Sequence, residues 1–302
     1  MTASAGAIAP AACCGEEVYA MNRIIDKVKQ SIDRMPSLSP VLHKINAVAN
    51  NINSSAQDLT NVIQLDPVLT AKVIRMVNSA YFGLPQEITS LKQAVVMLGI
   101  NTIKNVALSS AFLGTVSLKG KTGLNEEDFW RHSLGVAVAS KLIAKRLRVD
   151  AKYLEEYFIA GLIHDIGKVL MNNFFPDDMN TILNISSQKN ESITAVERKV
   201  LGLTHEEIGI AIGKKWKFEN NLLYAMGRHH QPVVKGSAAI FSMVIAVADT
   251  FVKILRVGFS GNYKIDPIPE EVWKVLELEE ESVFVALSSI NDEIQKAKVF
   301  LS

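Results

Sequence analysis

Side chains that could bind a metal recur through the second half of the chain. The protein has six histidines, and five of them lie after residue 130, close to carboxylates or to one another. Imidazole nitrogens and carboxylate oxygens together suit one or two first-row divalent cations, and these residue types do not distinguish Fe, Mn, Zn and Ni. The candidate ligands are, in chain order, Asp128, His132, His164, Asp165, His205, His229, His230 and Asp249.

The adjacent His164 and Asp165 are the most informative of these residues. They lie within an apolar stretch that reads AGLIHDIGK from Ala160 to Lys168. A buried carboxylate without a partner is costly, so Asp165 needs a cation, a metal ion or several hydrogen-bond donors. Asp249 lies in similarly apolar sequence, IAVADT, and the same argument applies to it. Together they predict a buried site for a divalent metal.

The other candidates each have a simpler alternative. His205 could be a helix N-terminal residue without a further role, and the pair His229-His230 could interact with a helix C-terminus. Asp128 could be a first-turn acid that the helix dipole favours. Asp128 and His132 are four residues apart and would share one face of a helix. The joint order of these residues favours a shared metal site over separate roles.

Helical periodicity dominates the chain, and no run of alternating strand residues is found. Asp66-Pro67 is typical of a helix start, as is Asn125 before an acidic first turn. The predicted helices are Met21 to Asp33, Val41 to Asn51, Ala56 to Leu65, Pro67 to Asn78, Ser90 to Leu98, Thr102 to Leu113, Glu126 to Arg148, Leu154 to Asn173, Asp178 to Gln188, Ile193 to Leu201, His205 to Trp216, Glu219 to His229 and Gly236 to Val257, followed by two terminal helices.

Composition narrows the class of partner and the compartment. The 32 basic and 31 acidic residues nearly cancel, which argues against binding to nucleic acid or to an anionic membrane. A helix-turn-helix over Asp58 to Asn78 would carry little basic charge. Cys13 and Cys14 are the only cysteines, so we expect a reducing, cytoplasmic setting. Residues 1–20 are small and apolar without a basic start, and we expect a flexible tail there.

Two segments of the N-terminal half resemble the HDOD group (the HD-related output domain) of the HD superfamily of metal-dependent phosphohydrolases. They are LDPVLTAKVIRMVNSAYFG (Leu65 to Gly83) and ITSLKQAVVMLGINTIKNVAL (Ile88 to Leu108), and FWRHS at Phe129 to Ser133 extends the resemblance. It implies an all-α, HD-domain-like helical bundle with an additional N-terminal helical subdomain packed on it. The implied divisions are 21–120 for the N-terminal half, 121–260 for the metal-binding half and 261–302 for C-terminal helices packed on the core.

The ligand positions also resemble those of the HD-GYP phosphodiesterases of cyclic di-GMP. By that resemblance Asp128 takes the place of an extra acidic ligand, and Lys168 that of a lysine near the substrate phosphate. The chain departs from that group after His230, where Gln231 to Gly236 contains no Gly-Tyr-Pro.

Two hypotheses follow from these resemblances. The first is a bacterial signal-transduction module with a regulatory output or protein-interaction role and a structural or regulatory metal centre. Its partner would be a signalling protein or a nucleotide or phosphoester ligand, and the oligomeric state stays open. The alternative is a metal-dependent phosphohydrolase or phosphodiesterase acting on a nucleotide or other phosphoester. In that case Asp165 bridges two metals and Lys168 neutralises phosphate charge.

Overall fold

All regular elements of the described residues are helical. The computed structural model describes residues 24–35, 40–49, 51, 53–236 and 238–301. Within these ranges no strand is present, which confirms the all-α class predicted from the sequence. The tail expected at residues 1–20 and the start of the helix expected from Met21 lie outside the described residues.

Six helices form the N-terminal half, and α6 is their centre. This helix packs against α2, α4 and α5, and it also contacts α8 of the second half. Polar side chains cap the N-termini of two of these helices. Asp66 accepts hydrogen bonds from the backbone of Val68 and Leu69, and Ser55 forms a capping box with Asp58. The helices are α1 (24–34), α2 (Pro40–Ala49), α3 (Ala56–Ile63), α4 (Pro67–Val77), α5 (Leu91–Leu98) and α6 (Ile100–Thr115).

The second half is built around the paired helices α7 and α8, which α14 packs against. The three C-terminal helices replace the two that the sequence predicted, and α16 and α17 contact α7. The helices are α7 (Glu126–Arg146), α8 (Leu154–Ile163), α9 (Ile166–Phe174), α10 (Pro176–Lys189), α11 (Ile193–Leu201), α12 (His205–Lys215), α13 (Asn220–Arg228), α14 (Ala239–Ile254), α15 (Glu270–Leu276), α16 (Glu280–Ala286) and α17 (Ile290–Ala297).

The single helix predicted from Leu154 to Asn173 is wrong, because the chain breaks it at His164 and Asp165. Helix α8 ends at Ile163 and α9 starts at Ile166. The new direction places the start of α9 against α12: a Cβ on Gly167 would lie 1.9 Å from the carbonyl oxygen of His205. The break therefore brings His164 and Asp165 to the helix that begins with His205.

A hydrogen-bonded cluster joins the two halves. Tyr81, which follows α4, donates from its hydroxyl to Glu155 of α8 over 3.1 Å. Lys141 of α7 donates to the Tyr81 hydroxyl over 2.9 Å and lies 4.0 Å from the centre of its ring. The N-terminal half is thus tied to both helices, α7 and α8, that lead to the candidate ligands His132 and His164.

Close packing of α7 on α8 depends on Gly161. A Cβ at this position would lie 2.7 Å from both the Cα of Ala137 and the carbonyl oxygen of Val136. Since these are backbone atoms, we expect Gly161→Ala to destabilise the fold by about 2 kcal/mol or more, despite the better helix propensity of alanine. Urea denaturation measures the effect. Gly123→Ala is the control, because its Cβ would make an ordinary contact at 3.5 Å with Leu183; an equal loss in both variants would contradict the prediction.

Candidate metal centre

Five helical segments bring the predicted histidines and aspartates into one buried cluster. His132 comes from α7, His164 and Asp165 from the break after α8, and His205 is the first residue of α12. His229 and His230 follow α13, and Asp249 lies within α14. His132, His164, Asp165, His205, His229 and Asp249 are all at most 2% exposed.

The first ligand group consists of His132, His164 and Asp249. Nε2 of His132 lies 3.1 Å from Oδ1 of Asp249, and Nε2 of His164 lies 3.8 Å from the same oxygen. Nδ1 of His164 is hydrogen-bonded at 2.7 Å to the carbonyl oxygen of Gly161, which turns Nε2 toward the centre. Oδ2 of Asp165 borders this group at 3.2 Å from Nε2 of His164.

The second ligand group consists of Asp165, His205, His229 and His230. Oδ1 of Asp165 lies 3.2 Å from Nε2 of His205 and 3.5 Å from Nε2 of His229. The two imidazole nitrogens are themselves 3.2 Å apart. Since its two oxygens face different groups, Asp165 has the position of a bridging carboxylate.

The unpaired polar atoms of the cluster fit a divalent cation. Five of the seven buried side-chain polar atoms that lack a hydrogen-bond partner in the described residues converge here. Leaving buried polar atoms unpaired costs free energy, and a coordinated cation supplies the missing partner. The five atoms are Nε2 of His132, His164 and His230, and Oδ1 of Asp165 and Asp249.

Two lysines contact the carboxylates of the cluster. Lys168, which is fully buried, donates to Oδ2 of Asp165 over 2.8 Å and to Oδ1 of Asn262 over 2.6 Å. Lys253 lies 2.5 Å from Oδ2 of Asp249. Lys253 was not among the residues predicted from the sequence, although its position four residues after Asp249 on one helix was the available signal.

Charge neighbours keep both carboxylates ionised. Burial alone would raise their pKa values, but His164 and Lys168 together with hydrogen bonds hold the pKa of Asp165 well below its usual range. In the same way Lys253 and His132 outweigh burial and hold the pKa of Asp249 well below its usual range. Both carboxylates are therefore anionic, which is the form that binds a cation.

Two carboxylates outside the predicted set support the histidines of the second group. Glu197 of α11 is fully buried and accepts from Nδ1 of His205 at 2.8 Å and from its backbone N–H at 3.0 Å. Glu206 accepts from the backbone N–H of His230 at 3.0 Å and lies 3.8 Å from Nδ1 of His229. Glu197 thereby leaves Nε2 of His205 with its lone pair toward the centre.

The chain after α14 covers the centre. Lys168 is tied to this segment through Asn262 and, at 3.4 Å, Ser260. The remaining cavity encloses about 20 Å³, which is room for roughly one water molecule. Its lining includes His229, His230, Asp249, Lys253, Asn262, Lys264 and Pro267.

Asp128 is the one predicted ligand that the structure does not bring to the centre. Its side chain is exposed in the first turn of α7, whereas His132 one turn later is buried. The backbone of Asp128 instead accepts a hydrogen bond from Phe259 N–H at 3.0 Å. Gly258 approaches so closely that a Cβ would lie 2.3 Å from the Asp128 carbonyl oxygen. The covering segment therefore docks on the start of α7, and the Asp128 carboxylate belongs to neither ligand group.

The family follows from this fold and its ligands. The family model of the HDOD domain matches residues 35–232, which span the N-terminal half and most of the metal-binding half. The chain belongs to the HDOD family.

Other proteins are similar to this chain. A solved HDOD domain protein with unknown function from Geobacter sulfurreducens superposes with a TM-score of 0.74 at 25% identity, over 93% of this chain and 98% of that one. An uncharacterized protein of Treponema pallidum (strain Nichols) is 22% identical over 69% of this chain and 40% of its own length. Ribonuclease Y of Syntrophomonas wolfei is 24% identical over 71% of this chain and 33% of its own length. The chain spans less than half the length of these two relatives.

Removing the buried ammonium tests the balance of charge at the centre. In metal-stripped protein, Lys168→Met leaves Asp165 buried without its main cation, and we expect a loss of about 3–5 kcal/mol of stability. Chemical denaturation in the presence of a chelator gives the value. Lys296→Met is the matched control, since Lys296 forms an exposed ion pair with Glu293 at the same three-residue spacing and should change little. An unaltered midpoint for Lys168→Met would refute the charge balance.

Proposed function

We propose that this protein is a metal-loaded HDOD module of bacterial signal transduction, with a regulatory output carried by protein interaction. The observation that carries the proposal is the enclosure of the ligand cluster. Six candidate ligands are at most 2% exposed: His132, His164, Asp165, His205, His229 and Asp249. The cavity beside them encloses only about 20 Å³. A nucleotide needs a pocket of several hundred Å³, so the enclosed centre suits a structural or regulatory metal.

The ligands come from several helices, and this supports a regulatory use of the metal. A cation at each ligand group would connect α7, the α8–α9 break, α12, the end of α13 and α14. Binding free energy at such a centre is also folding free energy, so metal occupancy would set how firmly these helices pack. The Tyr81–Lys141–Glu155 cluster would transmit that change to the N-terminal half.

The N-terminal half offers an apolar surface for a partner protein. Leu65, Val68, Val96 and Met97, on or beside α3 to α5, are 46–71% exposed. Helices α3, α4 and α5 contact one another, and large apolar side chains exposed on neighbouring helices are suited to a protein partner. The near-neutral net charge favours a protein partner over nucleic acid. None of the helices in the described ranges combines the length and apolar character needed to cross a bilayer.

A second candidate function is metal-dependent hydrolysis of a phosphoester. It is favoured by the bridging position of Asp165 and by the lysines Lys253 and Lys264 in the lining of the opening. The similarity to Ribonuclease Y points the same way. When bound, two divalent metals supply Lewis acidity and an activated water to such a reaction. Lys168 and Lys253 would then offset phosphate charge, and the covering segment would have to open for substrate.

Metal content and turnover together decide between the two candidates. Protein purified without chelator should contain at least one divalent metal per chain by elemental analysis, and Asp165→Ala should lose most of it, because Asp165 contacts both groups. With Mn²⁺ or Fe²⁺ added, we expect no turnover of a panel of phosphomonoesters, phosphodiesters and nucleotides above that of Asp165→Ala.

Tyr224→Phe serves as the control for purification, since Tyr224 is on the exposed surface of α13. Metal-free wild-type protein would refute the metal-loaded module. Turnover that Asp165→Ala abolishes would overturn the regulatory proposal in favour of the hydrolase.

A further inference from the structure

The two ligand groups have opposite electrostatic surroundings. Ammonium groups contact the carboxylates that border the first group, whereas carboxylates support the histidines of the second group. Both groups share Asp165, so this difference does not come from the bridging ligand. It comes from side chains that are not themselves ligands.

At the first group, two lysines occupy one oxygen of each carboxylate. Lys253 contacts Oδ2 of Asp249 and leaves Oδ1 facing His132. Lys168 contacts Oδ2 of Asp165, the oxygen on the side of His164. A divalent cation entering this group would meet two positive charges, and that repulsion lowers its affinity.

At the second group, two glutamates strengthen the ligands. Glu197 accepts the Nδ1 proton of His205 in a fully buried contact, which fixes the tautomer and orients Nε2 toward the centre. Nδ1 of His229 is hydrogen-bonded at 3.0 Å to the carbonyl oxygen of Ala225, and the Glu206 carboxylate lies 3.8 Å from this nitrogen and accepts from the backbone N–H of His230. Both negative charges attract a cation placed among these imidazoles.

We propose that the centre fills in two steps, with the second group binding a divalent cation tightly and the first group binding a further cation weakly. Glu197 and Glu206 are positioning residues for the tight site, and Lys253 sets the affinity of the weak site. This inference rests on the metal binding of the proposed function and adds a concentration dependence to it. The weak site would be the one that responds to changes in metal supply.

Of the two lysines, Lys253 is the one whose side chain has room to move. Its side chain is 11% exposed and lines the opening of the centre, whereas that of Lys168 is fully buried. Lys253 can therefore move toward solvent when a cation reaches Asp249, while Lys168 has no such path. Lys168 remains as the fixed partner of Asp165.

Titration of the metal-stripped full chain with Co²⁺ alone, followed by calorimetry against a competing chelator, tests the two steps. We expect two dissociation constants that differ at least about tenfold. Crystals grown with one Co²⁺ per chain should give anomalous signal at Asp165, His205 and His229. Signal at His132, His164 and Asp249 instead would overturn the order of filling, and two equal constants would remove the inference.

Two variants identify which ligand group gives each dissociation constant. Lys253→Gln should tighten the weaker step about tenfold and change the stronger step less, because the positive charge it removes lies in direct contact with Asp249. Glu197→Gln should weaken the stronger step about 10–100-fold, as expected for a group that supports a ligand. Lys274→Gln is the matched control, since Lys274 forms an exposed ion pair with Glu270 at the same four-residue spacing.

The outcomes separate this inference from the proposed function. Absence of Co²⁺ binding in wild-type protein would refute the metal-loaded module itself. Two binding steps with no response of the weaker one to Lys253→Gln would refute only the role of Lys253. If Glu197→Gln does not fold, the Lys253→Gln titration and the position of the anomalous signal still decide the order of filling.

Discussion

The buried carboxylate of Asp165 is the constraint on which the second half of the structure depends. It is 1% exposed, so its charge has to be balanced by groups that the fold brings to it. His164 reaches one oxygen, His205 and His229 reach the other, and Lys168 contacts the carboxylate with its ammonium group. The break between α8 and α9, the close approach at Gly167 and the start of α12 at His205 all serve this arrangement.

Much of this architecture could be predicted from the sequence. Helical periodicity gave the all-α class, and the caps at Asp66 and Asn125 located the starts of α4 and α7. Asp165 and Asp249 could be identified as candidates because a carboxylate in apolar sequence needs a cation. The structure places six of the seven candidate ligands from His132 onward in deep burial and leaves His230 partly exposed.

The remaining features depend on tertiary geometry that local sequence does not encode. The break at His164 follows from docking of α9 on α12, and no proline lies near it to signal a helix end. Glu197 reaches His205 from another helix across a loop, a contact that helical spacing cannot indicate. Four-residue spacing placed Asp128 on the face of His132, but the first turn of a helix can project beyond the core, and here it does.

The ammonium of Lys168 affects the stability of the protein when no metal ion is bound. In a centre made only of histidines and carboxylates the ion balances the ligand charges, and many small domains with such centres are unfolded without it. Here the chain carries its own counter-charge, bonded to Asp165, Ser260 and Asn262. The charge of Asp165 is therefore partly balanced within the chain itself, so the packing around this carboxylate depends less on a bound cation than in a centre of histidines and carboxylates alone.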